Sequence, residues 1–173
     1  DMNDAGDIIV AWQQLNSDVF ATNARWFDSY NISWGDVLSL SSGTNHAGLV
    51  QVAIDDFGDA IAIWREAESA SENGQLAESG SLMSRSITAP DILSDITQLS
   101  PTGEDAFHTS LVARRTNVIL HNDGTAAVAW SGFDGEDFRI YSSHRASTLE
   151  WTDAIAISKA GQHAKLPSLS KGD

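Results

Sequence analysis

His46, His108 and His163 each open the same short phrase, His46-Ala47-Gly48-Leu49, His108-Thr109-Ser110-Leu111 and His163-Ala164-Lys165-Leu166. Imidazole titrates near neutrality and ligates metals readily, so three such rings around one opening could bind a metal or an anionic ligand with a pH dependence. The same recurrence also fits a structural role, in which each ring satisfies backbone groups where the chain steps between repeats. Ligation of a single zinc by all three is strained, because Zn–N bonds are only about 2.0–2.1 Å; no metal and no cofactor are expected. Trp26, beside Phe27 and close to Tyr30, could stack on a sugar or belong to a local packing cluster. Glu66 and Glu104 stand in the two longest polar stretches and complete the candidate ligand-binding set. Acyl-transfer triads, phosphate-binding loops and metalloprotease helices are not visible, so no catalytic residue is assigned.

These residues sit within a larger repetition. Gly6-Asp7 runs into Ile8-Ile9-Val10-Ala11-Trp12, Gly58-Asp59 into Ala60-Ile61-Ala62-Ile63-Trp64, and Gly124-Thr125 into Ala126-Ala127-Val128-Ala129-Trp130. A turn glycine followed six residues later by tryptophan across an apolar run, three times over, marks a repeat array. An arginine recurs downstream (Arg25, Arg85, Arg145), followed by Trp34-Gly35-Asp36-Val37-Leu38-Ser39-Leu40-Ser41 and its counterparts from Leu93 and Trp151. With the histidine phrase, each unit holds four short strand candidates. The units are approximately 1–52, 53–118 and 119–173 in one array.

Apolar runs that do not alternate indicate strands covered on both faces, and they are too short for ordinary buried helices. Four strands per unit with the inner ones sandwiched between sheets describe a β-propeller blade. The predicted fold is all-β, a segment of about three four-stranded antiparallel blades; a β-trefoil is the alternative. The array begins and breaks off inside equivalent turns, which reads as a piece of a larger propeller. Uncovered blade faces at both ends would then favour self-association or further blades.

The pattern Asp/Asn-x-Gly followed by Trp, then an arginine strand, then Trp-x-Asp-x-Leu-x-Leu-Ser resembles the repeats of bacterial sialidase-like propellers, also called BNR-like repeats, over essentially the whole chain. The resemblance implies a scaffold. The Asp-box of true sialidases, Ser-x-Asp-x-Gly-x-x-Trp, places its Trp three residues after the Gly, whereas here the spacing is six. Sialidases carry a carboxylate-binding arginine cluster, but Arg25, Arg85 and Arg145 fall on separate blades, where a guanidinium is expected to span neighbouring blades through loop carbonyls.

At 42% hydrophobic and 20% charged the composition is globular, and the longest apolar runs fall far short of the ~18 residues of a membrane span. A net charge of −14 disfavours nucleic acid as partner. The chain has no cysteine, which excludes a disulfide framework and a thiol nucleophile. Turns such as Asp1-Met2-Asn3-Asp4-Ala5-Gly6-Asp7 suggest calcium, yet the EF-hand order fails at Ala5, and Asn, Asp and Gly are what tight hairpins require. Loop length varies on one side of the array, most of all around Glu66–Glu78, so that side is the expected functional face. The resulting expectation is a non-catalytic extracellular or cell-surface module binding carbohydrate or protein. The alternative is part of a sialidase-like glycoside hydrolase whose catalytic residues lie partly on further blades.

Overall fold

A computed structural model describes residues 1–77, 80–101, 105–107 (by backbone) and 118–171. All regular structure among them is β. The first sheet is β1 (Ile8–Asn16), β2 (Val19–Asp28) and β3 (Ser33–Ser39). The second follows the order β4 (His46–Ile54), β5 (Asp59–Ala67), β6 (Ser81–Thr88), whose outer edge takes both β7 (Ile92–Leu93) and β8 (Thr97–Gln98). In the third, β9 (Asp105–Phe107) and β10 (Val118–Leu120) share the inner edge of β11 (Ala126–Phe133), followed by β12 (Phe138–Arg145) and β13 (Ile155–Ala156). Each of the two later sheets therefore has four strand positions, with one of them split in two. Among the described residues, the inner position of the first sheet holds only the bridge Met2↔Ile8. All pairings are antiparallel, and the sheets form an open arc of a β-propeller.

Trp12, Trp64 and Trp130 take equivalent places, opposite Asn23, Met83 and Tyr141 on the next strand. Each strand continues past its Trp, so Glu66 belongs to β5 and the insertion proper begins after Ala67. The tryptophans fill the space toward the preceding sheet. Trp64 packs with Ile9, Ala24, Trp26 and Leu40 of the first sheet, and Trp130 with Ile61, Ile63, Leu82 and Leu99 of the second. Both are essentially fully buried. Trp12, in the first sheet of the described residues, is only half-buried. The doubly apolar reading holds for β5, buried from Ala60 onward, while one face of β1 is open.

The arginines correct the sequence alignment. Arg25 stands opposite Val10 and Arg85 opposite Ala62, two residues before the respective Trp, but the counterpart Val128 stands opposite Ser143. Arg145 lies two residues further along its strand. Ser143 Oγ donates to Thr152 O at 2.7 Å, where Arg25 Nε donates to Gly35 O at 2.7 Å and Arg85 Nε to Ser94 O at 2.6 Å. Both later guanidinium groups nonetheless reach back to the preceding sheet. Arg85 Nη1 donates to Ser39 O and Leu40 O, each at 3.1 Å, and Arg145 Nη1 to Ser86 Oγ at 2.7 Å.

Candidate functional site

On the side of the β5–β6 connection, the chain crosses from the first sheet to the second at His46, which opens β4 opposite Ala67. Its Nδ1 accepts the Phe20 backbone N–H at 3.3 Å, and the two rings lie 6.0 Å apart, tilted by 43°. The next described crossing repeats this geometry: His163 Nδ1 accepts the Phe138 N–H at 3.3 Å, with rings 6.0 Å apart and tilted by 47°. An imidazole that accepts at Nδ1 and is neutral carries its proton on Nε2, so the backbone bond assigns the tautomer and leaves an N–H donor. In His163 that nitrogen lies 3.5 Å from Asp137 Oδ1. Three residues past each histidine, Leu49 (φ 54°) and Leu166 (φ 60°) adopt left-handed backbone. That conformation costs a leucine on the order of 1 kcal/mol. In β4 it accompanies a register shift between Gly48 and Gln51.

The insertion after β5 folds back on the first sheet. Ala70 bridges Leu76, the Ser71 carbonyl accepts the Gly74 N–H at 2.9 Å, and Leu76 is buried. Gln13 Nε2 donates to Gly74 O at 2.9 Å. A Cβ on Gly74, at φ +81°, would stand 3.0 Å from the Phe20 ring. Gly48 is the other requirement of this contact, since a Cβ there would stand 2.7 Å from the Gln13 carboxamide carbon. Gln13, Phe20, Gly48 and Gly74 were not among the expected site residues. Their signal in the sequence is faint: a glutamine just past Trp12, a glycine inside the histidine phrase, and an Asn73-Gly74 pair that marks a turn without showing what the turn touches.

Two expected ligand residues are elsewhere. Trp26 is 3% exposed and packs between the first and second sheets, so no face of its indole is open to a sugar. Glu66 is buried at the end of β5, where its Oε1 accepts Trp64 Nε1–H at 2.9 Å. The first is covered by the second sheet, while Ser86, half-buried, and His144, exposed, hold the same strand position in the later sheets. The second belongs to a strand that runs further than its composition suggests. His108 and Glu104 lie outside the described residues. Among the described residues no three His, Asp or Glu side chains are grouped to hold a metal ion.

The opposite side, where the short turns lie, carries a cleft of about 390 Å³ that sequence reading did not anticipate. It is lined by the inner-strand ends of successive units, Asp1–Asn3, Ala53–Ile54, Val118–Leu120 and Leu169–Lys171, with Asp4 and Asp56. Ile54 N–H donates into it to Asp1 Oδ2 at 3.1 Å. The acidic turns are knit by backbone bonds. Asp7, on this side, is held below the usual carboxylate range by the Ser29 N–H, and Asp134, in the β11–β12 turn of the long-loop side, by the Asp137 and Glu136 N–H groups. Turn geometry thus accounts for the Asx clusters that suggested calcium.

The arrangement defines a sialidase-like propeller scaffold. Among solved structures, the chain is similar to the Hadza microbial sialidase Hz136, with a TM-score of 0.56 and 12% sequence identity, covering 87% of this chain and 35% of that one. At that identity the likeness concerns the fold, and the chain spans about a third of the sialidase's length. No family model matches the sequence, and no curated protein matches it. No helix among the described residues is long and apolar enough to cross a membrane.

Proposed function

We propose that the chain is a non-catalytic, extracellular binding module whose long-loop face takes a carbohydrate or protein ligand. The observation that carries this reading is the paired construction of the crossings. An aromatic ring and an imidazole of fixed tautomer stand together at both described crossings, and at His46 the partner ring, Phe20, lies close to Gly74 of the 70–76 flap that Gln13 fastens. A ring face with an adjacent N–H donor suits a sugar, which offers C–H faces and hydroxyl acceptors. A flap tied down before binding lowers the ordering cost of complex formation.

The test replaces His46 and His163 by alanine, singly, and reads melting temperature and binding to a panel of immobilised glycans in parallel. Lost binding in a chain that melts normally supports the site. Lost stability with unchanged binding leaves the imidazoles a structural role and refutes it. A second reading, part of a sialidase-like glycoside hydrolase, is favoured by the likeness to the microbial sialidase. Hydrolysis of a fluorogenic sialoside by the chain would select that reading.

A further inference from the structure

The chain has one Asn-Gly pair, Asn73-Gly74, and it forms the tip of the flap that folds back on the first sheet. Asn73 is exposed. Its Oδ1 accepts hydrogen bonds from Ser71 Oγ and, at 3.4 Å, from the Gln75 N–H. The bond to the residue two further on is an Asx turn, which folds the carboxamide over the peptide joining Asn73 to Gly74. Two donors on Oδ1 polarise its carbonyl and stabilise negative charge that develops on that oxygen. Gly74, at φ +81°, carries no side chain to hinder approach to its nitrogen.

Other asparagines lack this combination. Asn31 precedes the branched Ile32, and its Nδ2 donates to Asp28 Oδ2 at 2.6 Å. Asn122 is gripped at both ends of its carboxamide by Asp56. Asn3 is buried, with its Nδ2 donating to Asp55 O at 3.1 Å. Among the described residues no hydrogen bond holds Asn73 Nδ2, so its amino group is free to leave.

We propose that Asn73 is a site of spontaneous deamidation, whose rate the Gln13 contact controls and whose product unfastens the flap. The Gly74 nitrogen bonds to Asn73 Cγ, the Cγ–Nδ2 bond breaks, and ammonia leaves with the Gly74 proton. Water then opens the succinimide at either carbonyl. The net change consumes one water, releases one ammonia and leaves aspartate or isoaspartate at 73. The nitrogen becomes nucleophilic on losing the proton that it donates to Ser71 O at 2.9 Å, so reaction proceeds from the opened turn and quickens with pH. Gln13 Nε2, holding the Gly74 carbonyl at 2.9 Å, limits that opening. Isoaspartate routes the main chain through the former side chain and lengthens it by a methylene, so the turn and the bond to Gln13 are not both kept. Either product adds a carboxylate beside Glu72 in a chain of net charge −14.

Peptide mass spectrometry of chain held at mildly alkaline pH tests this, reading amide-to-acid conversion at each asparagine, with isoaspartyl methyltransferase reporting the isomer. Asn73 is expected to convert about tenfold faster than Asn16, which is also exposed but precedes Ser17. Conversion should be roughly threefold faster again in Gln13→Ala. The converted form, separated by anion exchange through its added charge, should show faster hydrogen exchange across residues 70–76 than fresh protein. An Asn73 that stays an amide, or converts no faster than Asn16, overturns the proposal. Equal rates in wild type and Gln13→Ala overturn the control by Gln13, and unchanged exchange in the converted form overturns the unfastening. Circular dichroism verifies that the variant is folded; if it is not, Gly48→Ala, which displaces the same carboxamide, takes its place. These readouts need no ligand, so they stand or fall separately from the proposed binding.

Discussion

Asp56 and Asn122 grip each other through two hydrogen bonds: the Asp56 backbone N–H donates to Asn122 Oδ1 at 3.1 Å, and Asn122 Nδ2 donates to Asp56 Oδ2 at 2.7 Å. One unit earlier the Asp4 N–H donates to Asp56 Oδ1 at 3.1 Å. Asp4, Asp56 and Asn122 each stand two residues before a turn glycine, so the bonds form a ladder running from unit to unit across the short-turn side. Such a ladder fixes the rotation of each sheet relative to the next where apolar packing alone would let it slide.

The ladder makes stability depend on acid. Asp56 is held below the usual carboxylate range, first by the Asn122 side chain and then by the Asp4 N–H; Asp7 is lowered by Ser29 and Asp123 by Thr125. A lowered folded-state pKa contributes stability that is present above the unfolded pKa and lost as pH falls through the folded one. Melting temperature should therefore drop from about pH 5 downward, and less steeply in Asp56→Ala. Identical acid profiles for the variant and wild type would remove Asp56 from the account.

Arg85 and Arg25 share a strand position and differ in partners. Arg85 has three carbonyls, two of them on the neighbouring sheet, whereas Arg25 has Gly35 O and the Trp34 ring. Arg85→Ala should cost about 1–3 kcal/mol in urea unfolding, and Arg25→Ala distinctly less. Equal costs would show that the reach between sheets adds nothing.

Gly80 enters β6 with its missing side chain directed at the Glu66 carbonyl and the Arg65 guanidinium, so an alanine there drives backbone against backbone. Gly80→Ala should destabilise by about 2–4 kcal/mol, while Gly161→Gln, an open turn position, tests only positive φ and should cost about 1 kcal/mol. Thermal denaturation ranks the two.

Gly48→Ala should instead act on the flap. The new methyl displaces the Gln13 carboxamide, a flexible group, and so breaks its bond to Gly74. Hydrogen exchange across residues 70–76 is expected to quicken roughly tenfold with little change in melting temperature. Unchanged exchange would show that Gln13 does not hold the flap.

Architecture was legible because its causes are written in residue types: turn glycines, runs apolar on both faces, and a tryptophan at one fixed distance. What composition could not show was register. Arg145 and Ser143 exchange places because an arginine two residues along the strand looks identical until the pairing of Val128 is known. Coverage was equally hidden. The run Ile8–Trp12 is as apolar as Ala60–Trp64, but only the latter has a sheet before it. Of the candidate site, His46 and His163 stand out in the sequence because they recur, whereas Gln13, Phe20 and Gly74 do not, since they meet only where the insertion folds back on an earlier sheet. Trp26 and Glu66 looked available because nothing in a single sequence marks an aromatic or a carboxylate as interior. The cleft of the short-turn side is lined largely by strand ends, whose convergence is a matter of topology rather than residue type.

Binding of a ligand, left intact, on the long-loop face is open to one NMR titration of isotope-labelled chain with a sialylated oligosaccharide. Amide shifts are expected to be confined to Gln13, Phe20, His46 and residues 70–76, with the glycan's anomeric signals preserved throughout. Free sialic acid appearing in the spectra, or amide shifts absent from this region, would contradict it.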